Sequence, residues 1–508
     1  MAQNRAVRFL SSEASRELDA KTIAAGTPGL VLMKRAAAAV AREAARALAA
    51  RPERAARVVV LAGPGNNGGD GFEVARLLQA SRTAAGIETL LFGDPDRLTG
   101  DAKTTFGRLV HSGLSVRPAK SERDLEPLRS ATLVLDALFG TGLTRPIAVD
   151  SLAARAVALA CSGRAFVVAV DVPSGLSGDR EDVPGPAVRA DVTVTFGAPK
   201  RCHVFPPAAG LCGRIVVTDI GLLDIPARAS GEVEAVVAAD VAPFFPPRDA
   251  TSHKGTYGHL LVAGGSDGFF GAPALAARAA HRSGAGLVTV AAGESVRTAV
   301  HVLSPETTTV PPDADLSPYD ALAVGPGLGR SETAAALLAR LASNGKPAVF
   351  DADALNLAGG AAFFAARQAP TVLTPHPGEA GRLLGIDAGR VNAGRIDAAR
   401  HLAELSGAVV VLKGFRSVVA DPAGRTALVL AGNPGMASGG AGDVLTGMTG
   451  AFLARGLSPW DAATAAAFLH GTAGDLAAEA SGEEALIASD ITSFLGAAFG
   501  LLREARPL

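Results

Sequence analysis

Twice along this chain, short apolar runs alternate with helix-length segments, and that rhythm admits few folds. In the first half the runs at residues 58–61, 89–92, 133–135 and 166–170 are apolar apart from Thr89, as suits strands buried on both faces of a parallel sheet. Segments 72–84 and 150–160 read as the connecting helices, and 35–51 as an Ala-rich amphipathic helix ahead of them. Runs at 192–196 and 214–218 complete a doubly wound, Rossmann-like α/β pattern. Between about 223 and 248 the periodicity fades, and Pro243, Phe244, Phe245, Pro246 and Pro247 suit neither a helix nor a central strand. A second alternation follows, at 260–263, 288–290, 321–324, 348–350, 372–374 and 409–412. With 508 residues and about 100–200 per domain, we expect two large α/β domains, residues 1–228 and 229–508. There is no solenoid-type repeat.

Lys+Arg number 48 against Asp+Glu 49, so no polyanion-binding surface is indicated and nucleic acid is not an expected partner. The mean hydropathy of +0.27 comes from scattered Ala and Val. The uncharged stretch between Arg425 and Asp443 is broken by Gly432 and Pro434, unlike a membrane helix. Glu13 and Glu17 occupy an N-terminus without the apolar core of a signal peptide. Cys161, Cys202 and Cys212 are odd in number and lack metal-type spacing, which suits reduced thiols. These features lead us to expect a cytoplasmic protein with small-molecule partners, acting as a homo-oligomer.

Directly after the first strand come Gly63, Pro64, Gly65, Asn66, Asn67, Gly68, Gly69, Asp70 and Gly71. Such glycines let a row of backbone amides approach an anion at a helix N-terminus. A plain strand-to-helix turn needs the glycines as well, but not Asn66, Asn67 and Asp70. Further polar segments lie at or just beyond strand ends: Asp136 to Pro146, then Asp171, Val172, Pro173, Ser174 and Gly175, then Gly197 to Lys200. In an open parallel sheet these ends border one crevice, where Asn67, Asp136, Asp171 and Ser174 can converge. Any single Asp there also suits a loop anchor.

Together these segments resemble the NAD(P)H-hydrate epimerase family over roughly the first 220 residues. The resemblance implies that Asn66, Asn67, Gly68, Gly69 and Asp70, with Gly140, Thr141, Gly142, Leu143, Thr144, Arg145 and Pro146, contact the hydrated cofactor. It also implies that Asn67, Asp136 and Ser174 hold potassium and that Asp171 lies against the substrate. Oxygen ligands with one carboxylate fit a hard cation. Asp171 is the candidate acid/base for moving the C6 hydroxyl between faces of the nicotinamide ring.

In the second half, Ser438, Gly439, Gly440, Ala441 and Gly442 precede a helix expected to begin near Asp443. Backbone amides there can stabilise a transferring phosphoryl group while Asp443 accepts the proton of the attacking hydroxyl. The core-like Ala437, Val444 and Leu445 argue against a flexible linker. This resembles the anion hole of the ribokinase-like superfamily. With Thr374 to Glu379, Lys413 and Gly414, Gly325 to Gly329, Asp351 to Leu355 and His253 to Gly255, it is similar to the NAD(P)H-hydrate dehydratase family over about residues 250–500. That likeness implies that Lys413, Gly414, Phe415, Arg416, Ser417 and Gly442 line the adenine nucleotide, and that Ala272, Gly327, His376 and Asp443 line the hydrate. Ala441 departs from the Thr or Ser common before the Gly-Asp pair, which removes a hydroxyl but no amide.

Taken singly, several of these residues have plainer readings: His376 a rigid loop residue, His253 and Lys254 solvated, Asp351 and Asp353 either serving phosphate-bound magnesium or capping the next helix. His470, within an apolar helical stretch, reads as a core histidine.

Hydroxide is a poor leaving group from C6 of a hydrated dihydronicotinamide and phosphate a good one, so a kinase-like fold can act as a dehydratase. The substrates expected are the NADH and NADPH hydrates with an Mg2+-bound nucleotide; the resemblance implies ADP, while the residues leave ADP and ATP open. The rival readings are a ribokinase-like vitamin or sugar kinase fused to a dinucleotide-binding domain, and a first half that only senses ligand.

Overall fold

The computed structural model describes all residues except 1–7, 52–55, 85, 144, 224–232 and 505–508, and these fall into two compact units, residues 8–232 and residues 233 onward. Both are α/β. The domain boundary expected after residue 228 lies outside the described residues.

In the first unit the strands stand in the order Val116–Pro118, Gly86–Leu91, Arg57–Ala62, Leu133–Ala137, Phe166–Val170, Val192–Phe196, Arg214–Thr218. Every neighbouring pair is parallel. Chain order reverses beside Arg57–Ala62, which makes its carboxyl end and that of Leu133–Ala137 the switch point where a doubly wound sheet opens a crevice. Successive residues of Arg57–Ala62 face opposite layers, as the pleat dictates. Val58, Val60 and Ala62 pack with helices Gly29–Ala49 and Asn66–Ala80, whereas Val59 and Leu61 pack with Leu125, Leu128 and helix Leu152–Ser162.

The second sheet runs Val233–Ala235, Thr426–Leu428, Val418–Ala420, Val409–Leu412, Thr371–Leu373, Ala348–Phe350, Ala321–Val324, His259–Ala263, Leu287–Ala291, Thr308–Val310. Among the pairings of these strands, only those of Val418–Ala420 with its two neighbours are antiparallel. Helix Ala441–Ala454 crosses helix Gly271–Arg282 so closely that a Cβ on Gly447 would stand 2.0 Å from the Ala276 carbonyl oxygen. The arrangement is the ribokinase-like one expected.

Some details differ from the sequence expectation. The first connecting helix starts at Asn66 rather than residue 72, because the glycine-rich segment itself forms the opening turns. A side chain at Gly68 would meet the Gly63 carbonyl oxygen at 1.9 Å, so packing as well as ligand approach demands glycine there. The proline-rich run is a 3-10 turn at Ala242–Phe244, and Phe245 stacks into the second core against Phe452 and Phe499 at 4.9 and 5.1 Å. Among the described residues no helix is long and apolar enough to cross a membrane.

Candidate active sites

At the carboxyl end of Leu133–Ala137, Asp136 is fully buried. Its Oδ2 accepts the Ser174 amide at 2.7 Å and its Oδ1 accepts the Ser174 hydroxyl at 2.5 Å. Ser174 Oγ in turn accepts the Phe139 amide at 2.9 Å. Asn67 Oδ1 lies against Gly140, and Asn67 Nδ2 is buried without a hydrogen-bond partner among the described residues. Burial pushes the Asp136 carboxyl up to about 6, opposed by the hydrogen bonds from Ser174 and Leu138. The structure therefore joins Asp136 and Ser174 directly, while Asn67 lies beside Gly140 in the segment that follows Asp136.

Asp171, just past Phe166–Val170, adopts the left-handed backbone conformation, φ 64°, a strain that persists only where surroundings enforce it. Its Oδ1 accepts Lys200 Nζ at 2.7 Å and Thr195 Oγ1 at 2.8 Å. Burial alone would raise this carboxyl, but the Lys200 ammonium holds it below the usual range. Lys200 carries no distinguishing mark in the sequence, yet its side chain is 1% exposed and also donates to the Phe196 carbonyl. Asp70 and Asp19 face the same charges: burial with repulsion from Asp171 and Asp19 raises Asp70 well above the carboxylate range, and burial raises Asp19. Gly68 and Gly69 are buried beneath this wall, while Asn66, Gly142, Arg145 and Pro146 are exposed. Thr144 lies outside the described residues.

In the second unit Gly440 caps helix Ala441–Ala454 with φ 94°, a conformation suited to glycine, and Gly440, Ala441, Gly442 and Asp443 at the helix head line a cavity of about 590 Å3. Lys413, Gly414, Phe415, Arg416, Ser417 and Gly442 all line it, as do His376 and Asp443. Ala272 and Gly327 do not. They form a neighbouring group, in which a Cβ on Gly327 would come 3.1 Å from Ala272 Cβ and 2.9 Å from Phe269 Cβ.

Burial, helped by the Asp351 charge, pushes Asp443 up to about 7. Lys413 Nζ is taken by Asp351 Oδ1 at 2.5 Å, and Asp351 Oδ2 accepts the Thr446 hydroxyl at 2.6 Å. Burial also raises Glu379, to about 7. His376 caps helix Pro377–Leu384, its Nδ1 accepting the Gly378 amide at 3.0 Å. Asp353 accepts the Gly329 amide at 3.0 Å and so latches the glycine loop. His253 caps a 3-10 turn at Lys254–Tyr257. His470, expected to be a core histidine, is instead half-buried and lines the same cavity, its Nε2 meeting the Ala441 carbonyl at 2.9 Å. Among the described residues no three His, Cys, Asp or Glu side chains are grouped to hold a metal. The three cysteines are free thiols.

Both units match known proteins. Residues 29–202 match the model described as YjeF-related protein N-terminus, and residues 260–495 match that described as NAD(P)H-hydrate dehydratase. The bifunctional NAD(P)H-hydrate repair enzyme Nnr of Thermofilum pendens is 39% identical over 495 residues, covering 93% of this chain and 92% of that one. Its namesake in Escherichia coli is 37% identical over 454 residues, 86% and 84% of the two chains. The second unit is similar to the ADP/ATP-dependent NAD(P)H-hydrate dehydratase of Bacillus subtilis co-crystallised with ATP/Mg2+, with 34% identity, a TM-score of 0.50, and coverage of 52% of this chain and 97% of that one. A vitamin or sugar kinase joined to an unrelated domain does not account for two matches in one chain and for relatives similar over nearly its whole length. With that likeness extending across both units, the chain belongs to the family of bifunctional NAD(P)H-hydrate repair enzymes.

Proposed function

We propose that residues 1–228 interconvert the R and S hydrates of NADH and NADPH, and that residues 229–508 dehydrate the S form with ADP, releasing AMP and phosphate. The observation that carries the reading is Asp443, poised near neutrality at the head of a helix that lines the same cavity as Lys413 to Ser417. Asp443 takes the proton of the C6 hydroxyl as its oxygen attacks the β-phosphorus, and the helix-head amides stabilise the charge that develops. The ring nitrogen then expels phosphate from C6, and loss of a proton from C5 restores the double bond. Magnesium, carried by the nucleotide phosphates, neutralises charge during transfer. Gly414, Phe415, Arg416, Ser417 and Gly442 hold the nucleotide; Ala272, Gly327, His376 and Asp443 hold the hydrate.

In the first unit the ring nitrogen expels the C6 hydroxyl, water re-adds at C6 from the other face and gives its proton to the ionised Asp171, and Asp171 passes that proton to the expelled hydroxide. Asn66 to Asp70 and Gly140 to Pro146 contact the hydrate. We assign potassium to Asn67, Asp136 and Ser174, because Asp136 is a fully buried carboxylate whose hydrogen-bond partners are all neutral. Potassium there would fix the Asp136 and Ser174 loops that border the substrate. The reading includes work in the cytoplasm, supported by free thiols at Cys161, Cys202 and Cys212.

The test is incubation of the purified protein with mixed R and S hydrates, with and without ADP, following the absorbance of the dihydronicotinamide. Full recovery with ADP, and none without a nucleotide, is expected. Recovery of the S fraction alone, with no epimer exchange by proton NMR beyond the spontaneous rate, would remove the epimerase.

A further inference from the structure

Lys413 opens the segment assigned to the nucleotide, yet its ammonium is turned toward the head of helix Ala441–Ala454. We propose that this ammonium acts on the transferring phosphoryl group rather than on the AMP portion, and that Asp351 and Thr446 are the positioning residues that hold it there. The proposal rests on the dehydratase reading above.

Asp351 follows strand Ala348–Phe350 and is 1% exposed; Thr446 lies in helix Ala441–Ala454 and is fully buried. One Asp351 oxygen binds Lys413 Nζ and the other the Thr446 hydroxyl, so the carboxylate works as a bracket between the lysine and the helix. A lysine on its four-carbon stem is a mobile point charge until something fixes it, and this bracket does so. Gly442 makes the room: a Cβ there would stand 3.2 Å from Lys413 Nζ and 3.6 Å from Asp351 Oδ2. The ammonium thus lies against the backbone at the position just before Asp443. Ser438 Oγ, buried without a hydrogen-bond partner among the described residues, belongs to a residue lining the same cavity. An ammonium, a row of amides and a spare hydroxyl gathered beside the proton acceptor suit the oxygens of a phosphoryl group in flight. In that step the hydrate oxygen bonds to the β-phosphorus, the bond to the bridging oxygen breaks, AMP leaves with the electron pair, and the hydroxyl proton goes to Asp443. Lys413 meets the charge on the phosphoryl and bridging oxygens.

The full-length protein with Thr446→Val keeps the shape of the side chain and loses the hydroxyl. A hydrogen bond to a charged group of this kind is worth about tenfold, so we expect ADP to bind about tenfold more weakly by calorimetry, and kcat/KM for ADP to fall by the same factor. AMP, which lacks the β-phosphate, should bind within about twofold of wild type, and Thr446→Ser should restore ADP affinity. Lys413→Met, a change at the cavity wall, should show the same contrast more strongly and guards against a folding defect at Thr446. Equal weakening of ADP and AMP in both variants, or no weakening of either, would overturn the proposal. Because the contrast is read from nucleotide binding, it remains informative even if the wild-type protein dehydrates no hydrate, a result that would instead sink the functional reading.

Discussion

Both units set a carboxylate and a lysine beyond the carboxyl ends of parallel strands, and they connect them differently. In the first, Lys200 bonds directly to Asp171, the proposed proton carrier, at 2.7 Å, and that carboxyl is held low although burial pushes it up. In the second, Lys413 is taken by Asp351 at 2.5 Å, so Asp443, the proposed base, keeps the upward push of burial and sits at about 7. Burial acts alike in both. Which carboxylate receives the lysine decides the resting state: ionised in the first unit, half-protonated near neutrality in the second. A base of the latter kind both accepts a proton readily and is regenerated readily.

The strongest break of this comparison is a crossed pair of variants. Asp443→Asn keeps the shape of the helix head but accepts no proton, and nucleotide-dependent dehydration should fall by about 10²- to 10⁴-fold while epimer exchange continues. Asp171→Asn should do the reverse, leaving the S hydrate repairable and the R hydrate limited by spontaneous exchange. If either variant, still folded by circular dichroism, lost both reactions, a single shared site would have to replace two. A smaller effect is expected at the proposed cation site. Asp136→Ala, or exchange of potassium for a bulky organic cation, should slow epimer exchange by about 10- to 100-fold and leave dehydration unchanged. Unchanged exchange in both experiments would remove the metal from the account. Smallest of all should be the effect of separating the halves within residues 224–232: each should stay soluble and keep its own activity within about twofold. Insolubility of both would show that the units depend on each other.

The contrast itself was not legible in the sequence. Asp171, Asp443, Asn67, Asp136 and Ser174 stood out because they lie in glycine-dense or strand-end segments, and the long apolar runs located most of both sheets. Lys200 carried no such mark: a lysine after a strand is ordinarily solvated, and only the fold returns it to a partner 29 positions earlier. Thr446 lies in the helix that follows the glycine run, one residue beyond Leu445, and its bond to Asp351 spans 95 positions. The strands Thr308–Val310, Val418–Ala420 and Thr426–Leu428 are too short to show a period. The helix start at Asn66 was hidden because glycines that serve close packing read as loop.

The pH dependence of the two reactions, measured on one sample and corrected for spontaneous epimerisation, tests the central claim most directly. Asp443 must be ionised to act, and its raised value moves the acid limb upward, so kcat/KM for dehydration should fall about tenfold per unit as the pH drops below about 7. Asp171 is held low by Lys200, so epimer exchange should show no limb at about 7 and should fall only where Asp136 gains its proton, near pH 6. The same limb in both reactions, or a flat dehydration profile through neutrality, would contradict the account.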